Sequence, residues 1–242
     1  MNREYHKWFS AGLQRDMELL IFGDRGRAVL FFPTRTARFY DYENWRIVEA
    51  LRHRIDNGEL QLFCVDSIDI ESFYNQHIHP AQRISRHLQY ERYILDEVIP
   101  FMRTENRGHD LEVAGCSMGA YHAVNFAFRH PHIFTKVVAM SGRYDLTHQL
   151  VNFKDLFDGY HNEDIYYNMP LQFVANLEDE TILNAVRNTE IILVIGENDP
   201  FLFSNQQLSQ LLTNKSLPHQ FYIWQHDAHR PRYWRHMVQL YL

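Results

Sequence analysis

The feature that most constrains this chain is a series of short, mostly apolar runs separated by helical patterns. Ala28-Val29-Leu30-Phe31-Phe32 is closed by Pro33, and Leu60–Val65, Lys136–Met140 and Ile191–Ile195 follow at intervals. A strand that alternates apolar and polar residues has one wet face; a continuous run needs cover on both. Helical patterns lie between the runs, which is the arrangement parallel strands require, because their connections must cross back over the sheet.

Taken in order, Tyr5–Ser10 and Glu18–Phe22 read as a hairpin turning around Gly12 and Arg15-Asp16. Asn44 to Arg54 reads as a helix carrying Trp45, Val48 and Leu51 and stopped by Asn57-Gly58. Pro80 opens a long helix with Ile84, Leu88, Leu95, Val98 and Ile99 on one stripe. Glu91 interrupts that stripe, and Pro100 and Asn106-Arg107-Gly108 close the helix. Ser204 to Leu212 and Arg232 to Leu242 are predicted helices, with Gln220 to Gln225 as a last strand. Residues 144–188 break the alternation, being rich in Asp, Asn, Tyr and Phe with little period. The expectation is one α/β domain over residues 1–242, a mostly parallel sheet with an antiparallel N-terminal edge and helices on both faces. The irregular segment 144–188 is placed as an insertion over the carboxyl edge of the sheet, where open α/β folds bind ligands.

The chain has 242 residues, ample for a large core. A formal charge of −6 gives no electrostatic footprint for nucleic acid. Two cysteines, Cys64 and Cys116, make no disulfide framework and no paired metal motif. The N-terminus has no apolar signal core, and no apolar stretch is long enough to span a bilayer, so the expected setting is soluble and cytoplasmic. No Gly-rich phosphate loop is present, and no cofactor is expected.

The chemistry is concentrated in Gly115-Cys116-Ser117-Met118-Gly119. It follows the strand-like Leu111-Glu112-Val113 and opens an Ala-rich helical pattern through Ala123, Val124, Ala127 and Phe128. Gly-x-Ser-x-Gly at a strand-to-helix junction is the nucleophile-elbow signature of α/β-hydrolases, with glycines where a Cβ would strike neighbouring backbone. A serine hydroxyl needs a base, and the base an orienting carboxylate, in the chain order Ser, Asp or Glu, His. After the run Ile191–Ile195 come Glu197 and Asp199; Asp199 is preferred, with Glu197 and Asp145 as rivals. After the last strand come His226 and His229, and His229 is preferred on its position before the final helix.

The chain also resembles the putative esterase family of α/β-hydrolases, which includes S-formylglutathione hydrolases, feruloyl esterases and mycolyltransferases. The resemblance rests on Gly115–Gly119, on Gly196-Glu197-Asn198-Asp199 and on His229-Arg230-Pro231-Arg232-Tyr233-Trp234. The segment from Asp158-Gly159-Tyr160 through Tyr166-Tyr167-Asn168-Met169-Pro170 also looks like the family. It implies an α/β-hydrolase fold, a small-molecule ester or thioester substrate and an oxyanion hole built from the backbone N–H of Met118 and of a residue after the third strand. Phe32-Pro33-Thr34-Arg35-Thr36-Ala37-Arg38-Phe39 lacks the glycine relatives often carry there. Arg35 is the candidate second donor and Thr34 its rival. The leading expectation is a serine esterase; an acyltransferase with the same residues, or a binding protein on a hydrolase fold, are the alternatives.

Other features carry weaker readings. Arg35 and Arg38 could clamp an anionic group or simply face solvent. His77, His79 and His87, and separately His226-Asp227 with His229, have metal-ligand residue types without ligand spacing. Phe73, Tyr74, Phe157, Tyr160, Tyr166 and Tyr167 could line a pocket or pack the core.

Overall fold

The computed structural model describes every residue except His109, Val151 and Asp227. Eight strands form one sheet: β1 (Arg3–Ser10), β2 (Arg15–Phe22), β3 (Arg27–Phe32), β4 (Leu60–Val65), β5 (Leu111–Cys116), β6 (Phe134–Met140), β7 (Glu190–Gly196) and β8 (Gln220–Trp224). Their order is β1-β2-β4-β3-β5-β6-β7-β8. β1 and β2 pair antiparallel, β2 pairs antiparallel with β4, and every pair from β4 to β8 is parallel. This is the α/β-hydrolase fold that the recurring apolar runs predict.

The runs are apolar throughout because successive side chains enter two different cores. Leu30 and Phe32 point into one and Val29 and Phe31 into the other; Val137 and Ala139 part in the same way from Val138 and Met140. On the first face lie the helix Met118–Arg129, through Ala120, Ala123, Val124 and Ala127, and the helix Pro80–Tyr93, through Tyr90 and Tyr93. On the second lie Ile47, Val48 and Leu51 with Trp234, Met237 and Val238 of the C-terminal helix Pro231–Tyr241. Alanine on the inner side of Met118–Arg129 lets that helix sit close to β3 and β5.

Three local expectations are corrected. Arg15 and Asp16 belong to β2, and the hairpin turns at 11–14, where Gln14 takes a left-handed φ of 55°. Asn44 to Arg54 is not one helix but three helical turns, Asp41–Asn44, Ile47–Ala50 and Arg52–Asp56; Arg46 at φ 58° parts the first from the second, and Leu51 at φ −98° and ψ 0° parts the second from the third. Pro100 does not end the long helix. A π turn at Ile94–Val98 precedes it, and helix resumes over Ile99–Glu105. The wider turn spaces the proline ring from the preceding carbonyls with which it would otherwise collide.

Glu91, which interrupts the apolar stripe, is buried against Arg129 and His130, at 2.6 Å from each. Burial raises its pKa, but the hydrogen bond with His130 and the charge of Arg129 outweigh that and hold the carboxyl below its ordinary value. Between 144 and 188 the chain forms the short helices Glu163–Tyr166 and Pro170–Phe173 and the regular helix Glu180–Arg187, capped by Asp179. Among the described residues no helix is long and apolar enough to cross a membrane.

Candidate active site

β5 ends at Cys116, and the helix begins at Met118, so Ser117 alone makes the turn. It does so at φ 57° and ψ −117°, a conformation non-glycine residues rarely adopt. The Ser117 amide is anchored on the Met140 carbonyl of β6 at 2.8 Å. Both motif glycines are obligatory on steric grounds. A Cβ on Gly115 would lie 2.2 Å from the Gly119 backbone, and one on Gly119 would lie 2.2 Å from the Phe32 carbonyl oxygen. Tyr42 completes the junction: its hydroxyl donates to the Phe32 carbonyl at 2.7 Å and accepts from the Cys116 amide at 3.0 Å.

Ser117 Oγ lies 3.0 Å from His229 Nε2, and His229 Nδ1 lies 2.8 Å from Asp199 Oδ2. A carboxylate accepting at Nδ1 selects the tautomer protonated there, leaving Nε2 free to accept the serine proton. The Asp199 side chain is fully buried, and its Oδ1 accepts the Phe201 amide at 2.9 Å. Phe201 and Trp234 approach the imidazole edge-on at ring distances of 5.6 and 5.5 Å. The indole N–H of Trp234 is held by Ser141 Oγ at 3.2 Å.

The acid and base loops brace each other. The Glu197 amide donates to the Trp224 carbonyl, the Asn198 amide donates to the His226 carbonyl, and Glu197 Oε1 accepts the His226 amide at 2.9 Å. A cavity of about 350 Å³ opens over Ser117 and His229. Its walls include Thr34, Arg35 and Met118 on one side and the apolar Trp45, Phe153 and Trp234 on others. The backbone N–H groups of Met118 and Arg35 have no protein acceptor among the described residues.

A family model described as Putative esterase matches residues 40–238. The chain belongs to that esterase family. The esterase is similar in structure to a ferulic acid esterase, at 19% identity and a TM-score of 0.78, over 99% of this chain and 95% of the other. An S-formylglutathione hydrolase from Agrobacterium tumefaciens matches at 14% identity and a TM-score of 0.71, covering 98% and 93% of the two chains. The fluorophosphonate-binding serine hydrolase F of Staphylococcus aureus matches at 15% and 0.67, covering 99% and 96%. No curated protein matches in sequence. Membership of that family makes the chain an esterase, carried on an α/β-hydrolase fold.

The structure of the esterase separates the sequence candidates. Ser117, His229 and Asp199 meet, whereas Asp145 is engaged by Thr147 and Gln172. Glu197 and His226 serve the loop brace. Arg38 is not a clamp at the cavity: it pairs with Asp66 at 2.8 Å and Glu18 at 2.7 Å. Among the pocket aromatics, only Tyr74 lines the cavity over Ser117. Phe73 and Phe157 are packed in a third buried cluster, Tyr160 meets His79 edge-on at 4.9 Å, and Tyr166 and Tyr167 border a different cavity.

The metal readings fare no differently. His79 caps the helix through the Ala81 amide, and His87 is buried against Asn168 at 3.1 Å. Asp227 of the other grouping lies outside the described residues. Among the described residues no cluster of three metal-ligating side chains occurs. Sequence reasoning missed Arg143, Phe153, Phe201 and Trp45 as cavity walls. For Arg143 a signal was available, since it follows Ser141-Gly142 at the carboxyl end of β6, the edge where ligands bind.

Proposed function

We propose that the chain is a serine carboxylic-ester hydrolase that works through an acyl-enzyme. Ser117 Oγ attacks the ester or thioester carbonyl as its proton passes to His229 Nε2. The tetrahedral oxyanion accepts hydrogen bonds from the Met118 and Arg35 backbone N–H groups. His229 then returns the proton to the departing alcohol or thiol, and water repeats the sequence to release the acid. Asp199 holds the imidazole tautomer and stabilises its positive charge. The observation that carries this reading is the hydrogen-bonded chain from Ser117 through His229 to the buried Asp199. The cavity is of a size for a small ester, at the lower end of typical ligand pockets. Both cysteines are free and buried, in keeping with a reducing, cytoplasmic setting.

The test joins labelling to turnover. A fluorophosphonate should modify the wild-type protein at Ser117 alone, and Ser117→Ala should abolish both labelling and hydrolysis of p-nitrophenyl acetate with an unchanged circular-dichroism spectrum. Hydrolysis that survives in Ser117→Ala would falsify the assignment.

A further inference from the structure

Arg143 is a buried cation at the wall of the catalytic cavity, with only 7% of its surface exposed. Its Nε donates to the Asp145 carbonyl at 3.1 Å, and its Nη2 to the carbonyls of Leu146, His148 and Lys154 at 3.2, 2.6 and 3.0 Å. These bonds fix the guanidinium plane. Nη1, with its two N–H groups, has no protein acceptor among the described residues, and no carboxylate forms an ion pair with Arg143. The nearby carboxylates are engaged elsewhere: Asp145 by Thr147 and Gln172, Asp155 by the Phe157 and Gly159 amides. Burial lowers the Arg143 pKa from its ordinary value, so the charge is held at a cost in solvation.

A second guanidinium stands at the same cavity. Arg35 is exposed and rests over the Tyr74 ring at 5.8 Å, again with no carboxylate partner among the described residues. Tyr74 lies between them: burial raises its pKa, Arg35 and Arg143 both oppose that rise, and its hydroxyl lies 3.9 Å from Met118 Sδ. The cavity thus presents two positive charges, and none of the residues lining it is acidic. The fixed Nη1, with its N–H groups unclaimed, can donate a charge-assisted hydrogen bond to a carboxylate oxygen, and the low-dielectric wall strengthens the attraction.

We propose that this cavity selects esters carrying a separate carboxylate, held by Arg143 with Arg35 at the mouth. The proposal rests on the serine-esterase reading, since it concerns which ester reaches Ser117. The carboxylate can stand on the acyl or on the alcohol side of the ester, and two substrate pairs separate these. The acyl pair is the mono-p-nitrophenyl ester of glutaric acid and its neutral isostere ending in an isopropyl group. The alcohol pair is para-acetoxybenzoate and para-isopropylphenyl acetate.

For one pair, wild-type kcat/KM should favour the anionic member by about tenfold or more, and the preference should shrink as salt is added. Arg143→Met should reduce that ratio by about tenfold, and Arg35→Met by a smaller factor. Using the ratio separates lost charge recognition from general damage, which lowers both members alike. Should Arg143→Met not fold, the wild-type ratio and its salt dependence decide. Neutral members hydrolysed as fast as anionic ones in both pairs, or ratios unmoved in both variants, overturn the proposal. If wild type hydrolyses no member of either pair, it is the esterase reading that fails. The clamp is then tested by calorimetric titration with glutarate, whose binding should vanish in Arg143→Met; equal binding to both proteins overturns it.

Discussion

The Tyr42 hydroxyl accepts a hydrogen bond from the Cys116 amide at 3.0 Å, one residue before the proposed nucleophile. The same hydroxyl donates to the Phe32 carbonyl at 2.7 Å, so one buried phenol ties the end of β3 to the end of β5. These strand ends carry the two loops from which the proposed oxyanion donors, Met118 and Arg35, are drawn. Burial pushes the Tyr42 pKa well above its ordinary value, and the group remains a protonated donor.

Tyr42→Phe keeps the ring stack on Phe31 and removes only the hydroxyl. It leaves a buried amide and a buried carbonyl without that partner, and a stability loss of about 1–3 kcal/mol is expected. Chemical denaturation checks this. Because both oxyanion loops loosen, kcat for p-nitrophenyl acetate should fall more than KM changes.

Gly119→Ala is expected to be far more damaging than Gly159→Ala. The first places a Cβ 2.2 Å from the Phe32 carbonyl oxygen and 2.8 Å from that of Pro33, backbone atoms that cannot swing aside. A cost of about 3 kcal/mol or more, with loss of activity, follows. At Gly159 nothing lies within 4 Å and only the φ of +79° opposes a side chain, so about 1 kcal/mol is expected. Thermal unfolding of the two variants side by side measures the contrast.

Asp199→Asn preserves shape but reverses the preferred donor and acceptor at His229 Nδ1. A fall in kcat of about 10³- to 10⁴-fold is expected, with KM little changed. Glu197→Gln, which alters only the loop brace, should cost less than about tenfold. Comparable losses in the two variants would reassign the acid.

His87 is fully buried, and burial, aided by neighbouring His122, lowers its pKa to about 3. In the unfolded chain it titrates near its ordinary value of about 6.5. The unfolded state therefore binds more protons between these values, so stability is full above about pH 6.5 and declines toward pH 3. The slope from this one group is at most about 1.4 kcal/mol per pH unit. Denaturation of His87→Gln at several pH values should give a shallower acid decline than wild type.

The parts of the molecule legible from sequence are those governed by local sterics or by position at a strand end. Gly115 and Gly119 announce the turn at Ser117 because a Cβ at either would strike backbone, and Asp199 and His229 each follow a recognisable strand. The break at Arg46 was not legible, since Trp45, Val48 and Leu51 keep helical spacing whether the helix is continuous or broken. Pro100 carried a stop signal that the π turn overrode. Arg38 and Arg143 look alike as exposed basic residues in a sequence. Which one faces the cavity depends on Asp66 and Glu18, 28 and 20 residues from Arg38, and on carbonyls presented by the loop after Arg143.

β8 is the outermost strand on its side, bonded to β7 alone and largely exposed, and His229 follows it closely. The proposed base is therefore mounted beside the part of the sheet with least to lose by opening, whereas Ser117 is set in its centre. Local detachment of that edge would separate the proposed proton acceptor from the proposed nucleophile without opening the centre of the sheet. With His229 as the proposed base, activity should therefore be lost on heating in a transition of its own, below that of the fold. Opening of β8, read by its amide exchange, should then track the temperature at which the enzyme falls silent more closely than global unfolding does.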